Sequence, residues 1–323
     1  MPYFSVKVPL EYTKNERLDK YVASIPQGMN RSKLKSGVTE ILINGKKSKL
    51  SQKVKAGDVI DIEWEDNIPD DIEPQDIPLD ILYEDENVTV VNKKQGMVTH
   101  PACGNWSGTL VNALLFHWGK HSIQMLKEGS DEQILMRRRP GIVHRLDKET
   151  SGIIITAKNR DTEEWLINQF KTKSIKKEYI LIVKGRPPAA AGDIRTQIIR
   201  DPKNRKRFKA VTDTDEGKYA RTIYHCIASY GNYTLVRVRL KTGRTHQIRV
   251  HMKYLGCPIV GDGIYNKPDP QFPDATLMLH SKLLEIKLPG QKTPTRFVTK
   301  TPERFLKMEK QLKHKFNKKS LIP

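Results

Sequence analysis

The chain has 323 residues, of which 57 are Lys or Arg and 37 are Asp or Glu, so its formal net charge is +20. Such an excess of like charge repels itself in a compact protein and predicts a polyanionic partner, with nucleic acid as the first candidate. An anionic membrane surface is the second candidate, but the sequence contains no basic amphipathic helix and no lipidation signal. No apolar run approaches the roughly 20 residues that span a bilayer, and the N-terminus lacks the order of a secretion signal.

The cysteines and histidines give no sign of a metal site or a disulfide framework. Cys103, Cys226 and Cys257 are odd in number and far apart, and no Cys-x-x-Cys pair is available for zinc. The histidines are dispersed without the spacing of metal ligands, so we assign no metal. Reduced thiols of this kind predict a cytoplasmic protein.

Residues 1–65 are expected to form a small module of their own. Leu18, Tyr21 and Val22 would share one face of a first helix, and residues 30–37 would form a second. A short strand then runs into Asn44-Gly45, a dipeptide typical of a β-hairpin turn. This layout resembles the S-four-like RNA-binding module, which is named for a small-subunit ribosomal protein and found in many RNA-modifying enzymes.

The resemblance implies a set of side chains that would face RNA phosphates in this module. They are Arg17, Asn30, Arg31, Ser32, Lys33 and Lys35. The alternative interpretation is a pair of solvated basic helices, because phosphate contacts leave little signature in a sequence.

After the module, residues 66–78 are acidic and Pro-rich and are expected to be a linker. A second domain is expected at residues 79–302, where predicted strands outnumber helices and do not alternate regularly with them. Strands are predicted at 88–91, 179–183, 222–226, 233–240 and 283–286, and helices at 109–116, 162–170 and 246–254. This order predicts an α+β fold with a mixed, largely antiparallel central sheet. Residues 303–323 are expected to be a basic tail, either a terminal helix or a flexible arm.

A polar insert at residues 141–152, between two apolar stretches, is the most informative segment. Asp147 lies within it, with Arg145 and Lys148 near it in sequence and Thr150 and Ser151 just beyond. Cationic neighbours and hydroxyl donors would hold its carboxylate ionised and oriented, as a catalytic carboxylate requires. A charged surface turn is the alternative interpretation of this segment taken alone.

Further segments carry more polar side chains than a core needs. Forked donors beside Gly243 suit an anion, either a phosphate or a carboxylate such as Asp147. These residues are Arg244, Thr245, His246, Gln247, Arg249 and His251. Tyr179 begins a predicted strand, where an aromatic residue usually packs in a core.

A basic loop at residues 200–209 includes Arg205 and Arg207, and residues 137–139 are three consecutive arginines. Both are typical of contacts with an RNA backbone. A disordered charged loop is the alternative for each.

These segments, in this order, resemble the RluA family of RNA pseudouridine synthases. Residues 144–152, His-Arg-Leu-Asp-Lys-Glu-Thr-Ser-Gly, match the family's signature without departure. Residues 177–179 match its Lys-x-Tyr strand, and residues 243–251 with Gly261-Asp262 match its third motif. The similarity spans nearly all of residues 79–290 and overturns the surface-turn interpretation. Lys94-Gln95 and Asn266 depart mildly from the family pattern, away from the inferred active site.

The resemblance implies the pseudouridine synthase fold and an enzyme that isomerises uridine in structured RNA without a cofactor or metal. Asp147 would be the catalytic carboxylate, acting either as a nucleophile at the anomeric carbon or as a base on the sugar. Arg249 would pair with Asp147, and Tyr179 would stack on the uracil. Arg145 would help to hold the target nucleotide out of its helix, because a stacked base cannot be reached.

The N-terminal module resembles that of family members acting on large-subunit ribosomal RNA, which makes this RNA the expected substrate. Transfer RNA is an alternative substrate, and a non-catalytic RNA-binding or ribosome-assembly factor is an alternative of a different class. A binder could lose Asp147, whereas this chain keeps it with its expected partners, which favours the enzyme. We expect a cytoplasmic monomer that does not contact a membrane.

Overall fold

The computed structural model describes residues 3–25, 29, 31, 34, 38–64, 71–102, 104–124, 139–204 and 206–316. The chain divides into two compact units, Met1–Pro69 and Asp70–Pro323. Several residues singled out above lie outside the described ones: Asn30, Ser32, Lys33, Lys35, Cys103, Arg137, Arg138 and Arg205. In the described ranges, no helix is long and apolar enough to cross a membrane.

The first unit is a four-stranded antiparallel sheet in the order β1-β4-β2-β3, with a helix packed against it. Its elements are β1 (Tyr3–Lys7), α1 (Leu18–Ser24), β2 (Val38–Ile43), β3 (Lys46–Lys47) and β4 (Val59–Trp64). Leu18 and Val22, on the predicted apolar face of α1, are buried with Ile60 of β4. Asn44 and Gly45 both have positive φ, 52° and 75°, and join β2 to β3 as a tight hairpin, which confirms the predicted turn.

The second unit is built on a mixed sheet of ten strands in the order β12-β11-β13-β14-β10-β15-β9-β7-β6, with β16 added to β15. Its first elements are β5 (Asp71–Ile72), β6 (Ile81–Glu84), β7 (Val88–Lys93), α2 (Leu110–His117), β8 (Ile123–Gln124), β9 (Ser151–Ala157), α3 (Arg160–Thr172) and β10 (Lys176–Lys184). The later ones are β11 (Ala191–Arg200), β12 (Phe208–Val211), β13 (Lys218–Tyr230), β14 (Tyr233–Leu240), α4 (Gln247–Tyr254), β15 (Leu279–Ile286), β16 (Thr295–Val298) and α5 (Glu303–Phe316). Neighbouring strands of the large sheet are antiparallel apart from β9 and β15, which confirms the predicted α+β class and sheet type.

The parallel pair of β9 and β15 joins the two halves of the large sheet. Ser151 is paired with His280, and Gly152 with Ser281. A Cβ at Gly152 would lie 2.2 Å from the carbonyl oxygen of Ser281, and its φ is +113°, so the strands approach this closely only with glycine at this position. The loop that contains Asp147 enters β9 here, and the parallel pairing therefore places that loop beside the start of β15.

The first turn of α5 reaches the same junction. Arg304 Nη2 donates to Ser151 Oγ at 2.7 Å and to the carbonyl oxygen of Leu279 at 3.1 Å. Ser151 Oγ also lies 2.9 Å from Nδ1 of the buried His280. The start of β9, the start of β15 and the C-terminal helix are thus joined by one hydrogen-bonded network.

Two expected boundaries of the second domain need correction. Residues 303–316 form the terminal helix that was one of the two expectations, but the helix is part of the second unit, because Phe305, Met308 and Leu312 are buried in a core cluster of that unit. Their helical spacing is hidden in the sequence by the lysines between them. Within the expected linker, Asp71–Ile72 forms β5, which pairs with β8, and Ile72 is buried.

The basic loop expected at residues 200–209 is shorter than the sequence indicates. It is the tip of a hairpin between β11 and β12, two strands that the sequence analysis missed. The amide of Asp201 donates to the carbonyl of Arg207 at 3.0 Å and closes the tip, where Arg207 is exposed. Phe208 and Ala210 pack inward on alternate positions of β12, a pattern obscured by the surrounding cations.

Candidate active site

Asp147 lies in the loop that leads into β9 and lines a cleft of about 820 Å³. Its backbone carbonyl accepts a hydrogen bond of 3.0 Å from the amide of Thr150, which closes a turn. Leu146 and Thr150 on either side are buried, whereas the Asp147 side chain is 21% exposed. The loop is therefore anchored on both sides of a carboxylate that faces the cleft.

Arg249 of α4 contacts Asp147 and is itself held by a second carboxylate, Asp262. Arg249 Nη1 lies 3.2 Å from Asp147 Oδ2. Its Nε and Nη2 donate to Asp262 Oδ2 and Oδ1 at 2.8 and 2.7 Å. Asp262 Oδ1 also accepts from the amides of Ile264 and Tyr265 at 3.0 and 3.1 Å. The guanidinium therefore has a fixed orientation, with one edge left for Asp147.

Charge and burial act in opposite directions on this pair. Burial lowers the pKa of Arg249, but the hydrogen bonds and charges of Asp262 and Asp147 outweigh burial and raise it above its usual range. Burial raises the pKa of Asp262, but the Arg249 guanidinium outweighs burial and the net pKa is lowered. Both groups are therefore charged at neutral pH, although Asp262 is fully buried.

His246 is a second neighbour of the Asp147 carboxylate, with its Nε2 3.7 Å from Oδ2. Its Nδ1 lies 2.9 Å from the hydroxyl of Tyr265, which already accepts a hydrogen bond of 2.9 Å from the amide of Phe208. If the Tyr265 hydroxyl donates to Nδ1, the proton of a neutral imidazole is on Nε2, toward Asp147. Burial lowers the pKa of His246, although the Asp147 charge partly opposes this, so the ring is neutral at pH 7.

Tyr179 of β10 lines the same cleft as Asp147. Its backbone pairs with Val238 on one side and with Ser281 on the other, so the ring is mounted on the middle of the sheet. Burial raises the pKa of Tyr179 to about 12, and the Asp147 charge adds to this increase. The hydroxyl is therefore protonated at neutral pH.

A supporting loop, residues 94–99, follows β7 and donates hydrogen bonds to residues 146–149, which contain Asp147 and are called the Asp147 loop below. The amide of Gly96 donates to the carbonyl of Lys148 at 2.9 Å, and Thr99 Oγ1 donates to that of Leu146 at 2.9 Å. Gln95 Nε2 donates at 2.9 Å to the carbonyl of Glu149. The backbone of the Asp147 loop is thus satisfied by a different part of the chain.

Lys93, the last residue of β7, lies buried behind both loops. Its Nζ donates to the carbonyls of Lys94, Met97 and Lys148 at 3.0, 2.8 and 3.2 Å. Burial lowers the pKa of Lys93 to about 7, while the charge of Asp147 opposes this effect. A lysine with three carbonyl acceptors ties the supporting loop to the Asp147 loop.

The other predicted site residues lie in different places. Arg145 and Arg244 are exposed and line the cleft, where Arg244 Nε donates to the carbonyl of Tyr219 at 2.9 Å. Arg17 and Arg31 belong to the first unit, and both bind the buried carboxylate of Asp19. Arg207 is at the hairpin tip described above.

The sequence-based account of Asp147 was partly wrong. Arg145, Lys148 and the hydroxyls of Thr150 and Ser151 were expected to hold its carboxylate. The contacts come from His246 and from Arg249, the partner that the family resemblance implied, and both stand far away in the sequence. Asp262, Tyr265 and Lys93 were not among the predicted site residues, although Gly261-Asp262 within the third motif was an available signal. The part of the chain that the structure describes contains no group of three His, Cys, Asp or Glu side chains placed as metal ligands.

Comparisons with known proteins agree on the class of protein. Residues 87–254 match the protein-family model described as RNA pseudouridylate synthase. The chain is 43% identical over 310 residues to the ribosomal large subunit pseudouridine synthase D of Borreliella burgdorferi, which covers 93% of this chain and 92% of that protein. It is 39% identical over 255 residues to the protein of the same name from Zymomonas mobilis, covering 78% of this chain and 77% of the relative.

A solved structure, human RNA Pseudouridylate Synthase Domain Containing 4, shares the fold with a TM-score of 0.54 and 23% sequence identity. The similarity covers 75% of this chain and 94% of that one. The chain therefore belongs to the RluA family of RNA pseudouridine synthases, enzymes that isomerise uridine in RNA to pseudouridine. Both the fold and the class of enzyme that the motifs predict are confirmed.

The Asp262→Asn substitution is expected to reduce stability at neutral pH by about 3 kcal/mol, because a neutral amide leaves the buried Arg249 short of its main partner. The pKa of Asp262 is lowered by folding. The contribution of ionised Asp262 to the free energy of unfolding is therefore complete above the unfolded-state pKa of about 4. It is lost as the pH falls through the lower folded-state pKa. Urea unfolding of the variant should accordingly show a weaker decline of stability below about pH 4 than the unsubstituted protein.

The exposed carboxylate of Asp274 provides the matched control. Asp274→Asn should leave both the neutral-pH stability and its acid dependence within about 0.5 kcal/mol of the unsubstituted protein. An Asp262→Asn protein with the same acid profile as this control would contradict the role given to the ion pair.

Proposed function

We propose that Asp147 is the carboxylate that carries out the isomerisation. The observation that carries this proposal is the arrangement of its two oxygens. Oδ2 faces Arg249 and His246, while Oδ1 has no hydrogen-bond partner among the described residues and is available to a substrate. Arg249, itself held by Asp262, fixes the orientation of this carboxylate.

The reaction needs one such group. The bond between N1 of uracil and C1′ of ribose breaks, the base turns, and C5 of uracil bonds to C1′. The proton on C5 is lost and N1 gains one, so no atom is added or removed overall. An ionised carboxylate beside the ribose acts either as the nucleophile at C1′ or as a base on the sugar.

Tyr179 is proposed to pack its ring against the uracil. The base must leave the RNA helix to reach Asp147, and an aromatic ring can replace the stacking that is lost. Because its pKa is raised to about 12, the hydroxyl stays neutral and serves as a hydrogen-bond donor at pH 7. Arg145, which is exposed and lines the cleft, is proposed to hold the extruded nucleotide.

Asp147→Asn is expected to abolish pseudouridine formation while RNA affinity stays within a few-fold of the unsubstituted protein. The amide is the same size but supplies neither a nucleophile nor a base. Tritium release from 5-tritiated uridine in RNA would measure the reaction, and filter binding would measure affinity. The neighbouring exposed Glu149 offers a matched control, since Glu149→Gln removes one charge from the same loop and should remain active. Near-normal activity of Asp147→Asn would remove this residue from the mechanism.

Large-subunit ribosomal RNA is the proposed substrate. Two relatives that align with most of this chain carry the name ribosomal large subunit pseudouridine synthase D, and one of them covers 93% of this chain. Substrate choice in such an enzyme depends on the surfaces that surround the cleft as well as on the site itself, and extensive similarity includes those surfaces.

Pseudouridine mapping on total RNA, from cells with and without the gene, tests this substrate. We expect at least one modified position in large-subunit ribosomal RNA to disappear with the gene and to return with a plasmid copy. Loss of modification confined to transfer RNA would contradict the proposal and support the alternative substrate.

The first unit is proposed to bind RNA as a separate basic surface. Asp19 is fully buried, and Arg17 Nε donates to its Oδ1 at 2.9 Å while Arg31 Nε donates to its Oδ2 at 3.0 Å. Burial raises the pKa of Asp19, but the two guanidiniums outweigh burial and lower it. Arg17 is exposed and Arg31 is half-buried, and among the described residues each keeps a guanidinium nitrogen without a partner, so the pair is held in place with donors left for phosphates.

Deleting residues 1–69 is expected to weaken RNA binding and to reduce its dependence on salt. Each phosphate contact releases counterions from the RNA, so fewer contacts mean that fewer counterions are released. Filter binding across a series of salt concentrations measures both quantities. The turnover number at saturating RNA should stay the same, since the residues around Asp147 belong to the second unit. An unchanged affinity and salt dependence would refute the RNA-binding role of the first unit.

A further inference from the structure

The cleft beside Asp147 extends along β10 to a second basic group, Lys177. Lys177 and Tyr179 are two residues apart on one strand, so their side chains point to the same face at a spacing of about 7 Å. Both residues line the cleft. A nucleotide whose base packs on Tyr179 therefore has room to extend toward Lys177.

The ammonium of Lys177 is positioned by its surroundings but not bonded by them. Its Nζ lies 5.4 Å from the ring centre of Phe170, which also stacks on His144. On the other side it borders Gly243, where a Cβ would be 3.4 Å from Nζ. Within the described ranges, Nζ has neither a carboxylate partner nor a hydrogen bond.

Two other lysines near the site are satisfied by the protein itself. Lys93 donates to three carbonyls, as described above. Lys176, adjacent to Lys177 but on the opposite face of β10, lies 3.2 Å from the carboxylate of Glu178. Lys177 differs from both, because it is placed in the cleft without an internal partner.

The environment of Lys177 favours an anionic ligand. Burial lowers its pKa to about 8, and no carboxylate opposes this effect, so Lys177 is not the ion-pair partner of Asp147. At pH 7 the group is still mostly charged, and an incompletely hydrated cation gains free energy when an anion binds it. Uracil and ribose are neutral, so the phosphodiester is the group of a nucleotide that fits.

We propose that Lys177 binds a backbone phosphate next to the target uridine and thereby fixes the position of the RNA strand along the cleft. The proposal rests on the proposed function, because Asp147 and Tyr179 define where the target nucleotide lies. The phosphate contact exists before and during the reaction, so it contributes equally to ground-state and transition-state binding. Its loss should raise KM and leave kcat unchanged.

The test compares Lys177→Met with Lys176→Met, which removes the same charge from the adjacent position of the same strand. Methionine keeps an unbranched side chain over Phe170 and lacks the charge. Steady-state pseudouridine formation would be measured for both variants over a range of salt concentrations. For Lys177→Met we expect KM to rise about tenfold at low salt with kcat unchanged, and the salt slope of binding to fall by about 0.7. Lys176→Met should match the unsubstituted protein within twofold, and Lys177→Arg should restore most of the affinity.

A second arm identifies the phosphate directly. RNA that carries the mapped target uridine would be made with an uncharged methylphosphonate at the linkage on its 5′ or its 3′ side. One of these replacements should weaken binding of the unsubstituted protein about tenfold and have no further effect on Lys177→Met. The inference would be overturned if the replacement at either linkage weakened the binding of Lys177→Met by the same factor as the binding of the unsubstituted protein.

Other results would also overturn it, and they differ from a failure of the proposed function. A lowered kcat with unchanged KM in Lys177→Met would mean that the lysine acts on the reacting base. A weaker affinity with an unchanged salt slope would mean that it acts through packing. If Asp147→Asn is inactive, either result contradicts only the role proposed for Lys177, and the role proposed for Asp147 stands. If Asp147→Asn is active, the proposed function itself is contradicted.

Discussion

One arginine shared between two carboxylates determines the geometry of the site. Asp262 takes two of the three nitrogens of Arg249, and the remaining one faces Asp147. A lysine could not serve both carboxylates in this way, because its single ammonium lacks the planar fork. Buried ion pairs often add little net stability, since desolvation offsets their attraction. What this triad supplies is orientation, which the proposed role of Asp147 requires, since a carboxylate oxygen must be held at one place beside a sugar.

The sheet brings together segments that are distant in the chain. Because β9 and β15 are parallel, the loops that precede them emerge at the same edge, and β7 on the other side of β9 ends at that edge too. The supporting loop after β7 can therefore donate to the carbonyls of Leu146, Lys148 and Glu149. Gln95 of the supporting loop joins it to the loops that precede β9 and β15, since its Nε2 donates to the carbonyls of Glu149 and Leu277. The Asp147 loop is short, but its backbone is fixed from two sides.

Local patterns were predictable from the sequence, and long-range pairings were not. The Asn44-Gly45 turn follows from positive φ angles that these two residue types tolerate. The strand at Phe208 was missed because cations surround its alternating apolar positions. The partner of Asp147 is 102 residues away at Arg249, and composition pointed instead to nearer cations. Only the resemblance to a family identified it. The role of Lys93 was not visible in the sequence, because one of its three carbonyl acceptors, that of Lys148, is 55 residues away.

The hydrogen bond from Arg304 to Ser151 links the active-site loop to a residue made much later on the ribosome. Ser151 precedes its partner by 153 positions, and β15, the neighbour of β9 in the sheet, is also synthesised late. While the chain is still growing, the signature segment has left the ribosome but lacks both its central strand neighbour and α5. The order of synthesis therefore delays assembly of the cleft until nearly all of the second unit has emerged. An enzyme built in this way gains its competence to modify RNA late in its own translation.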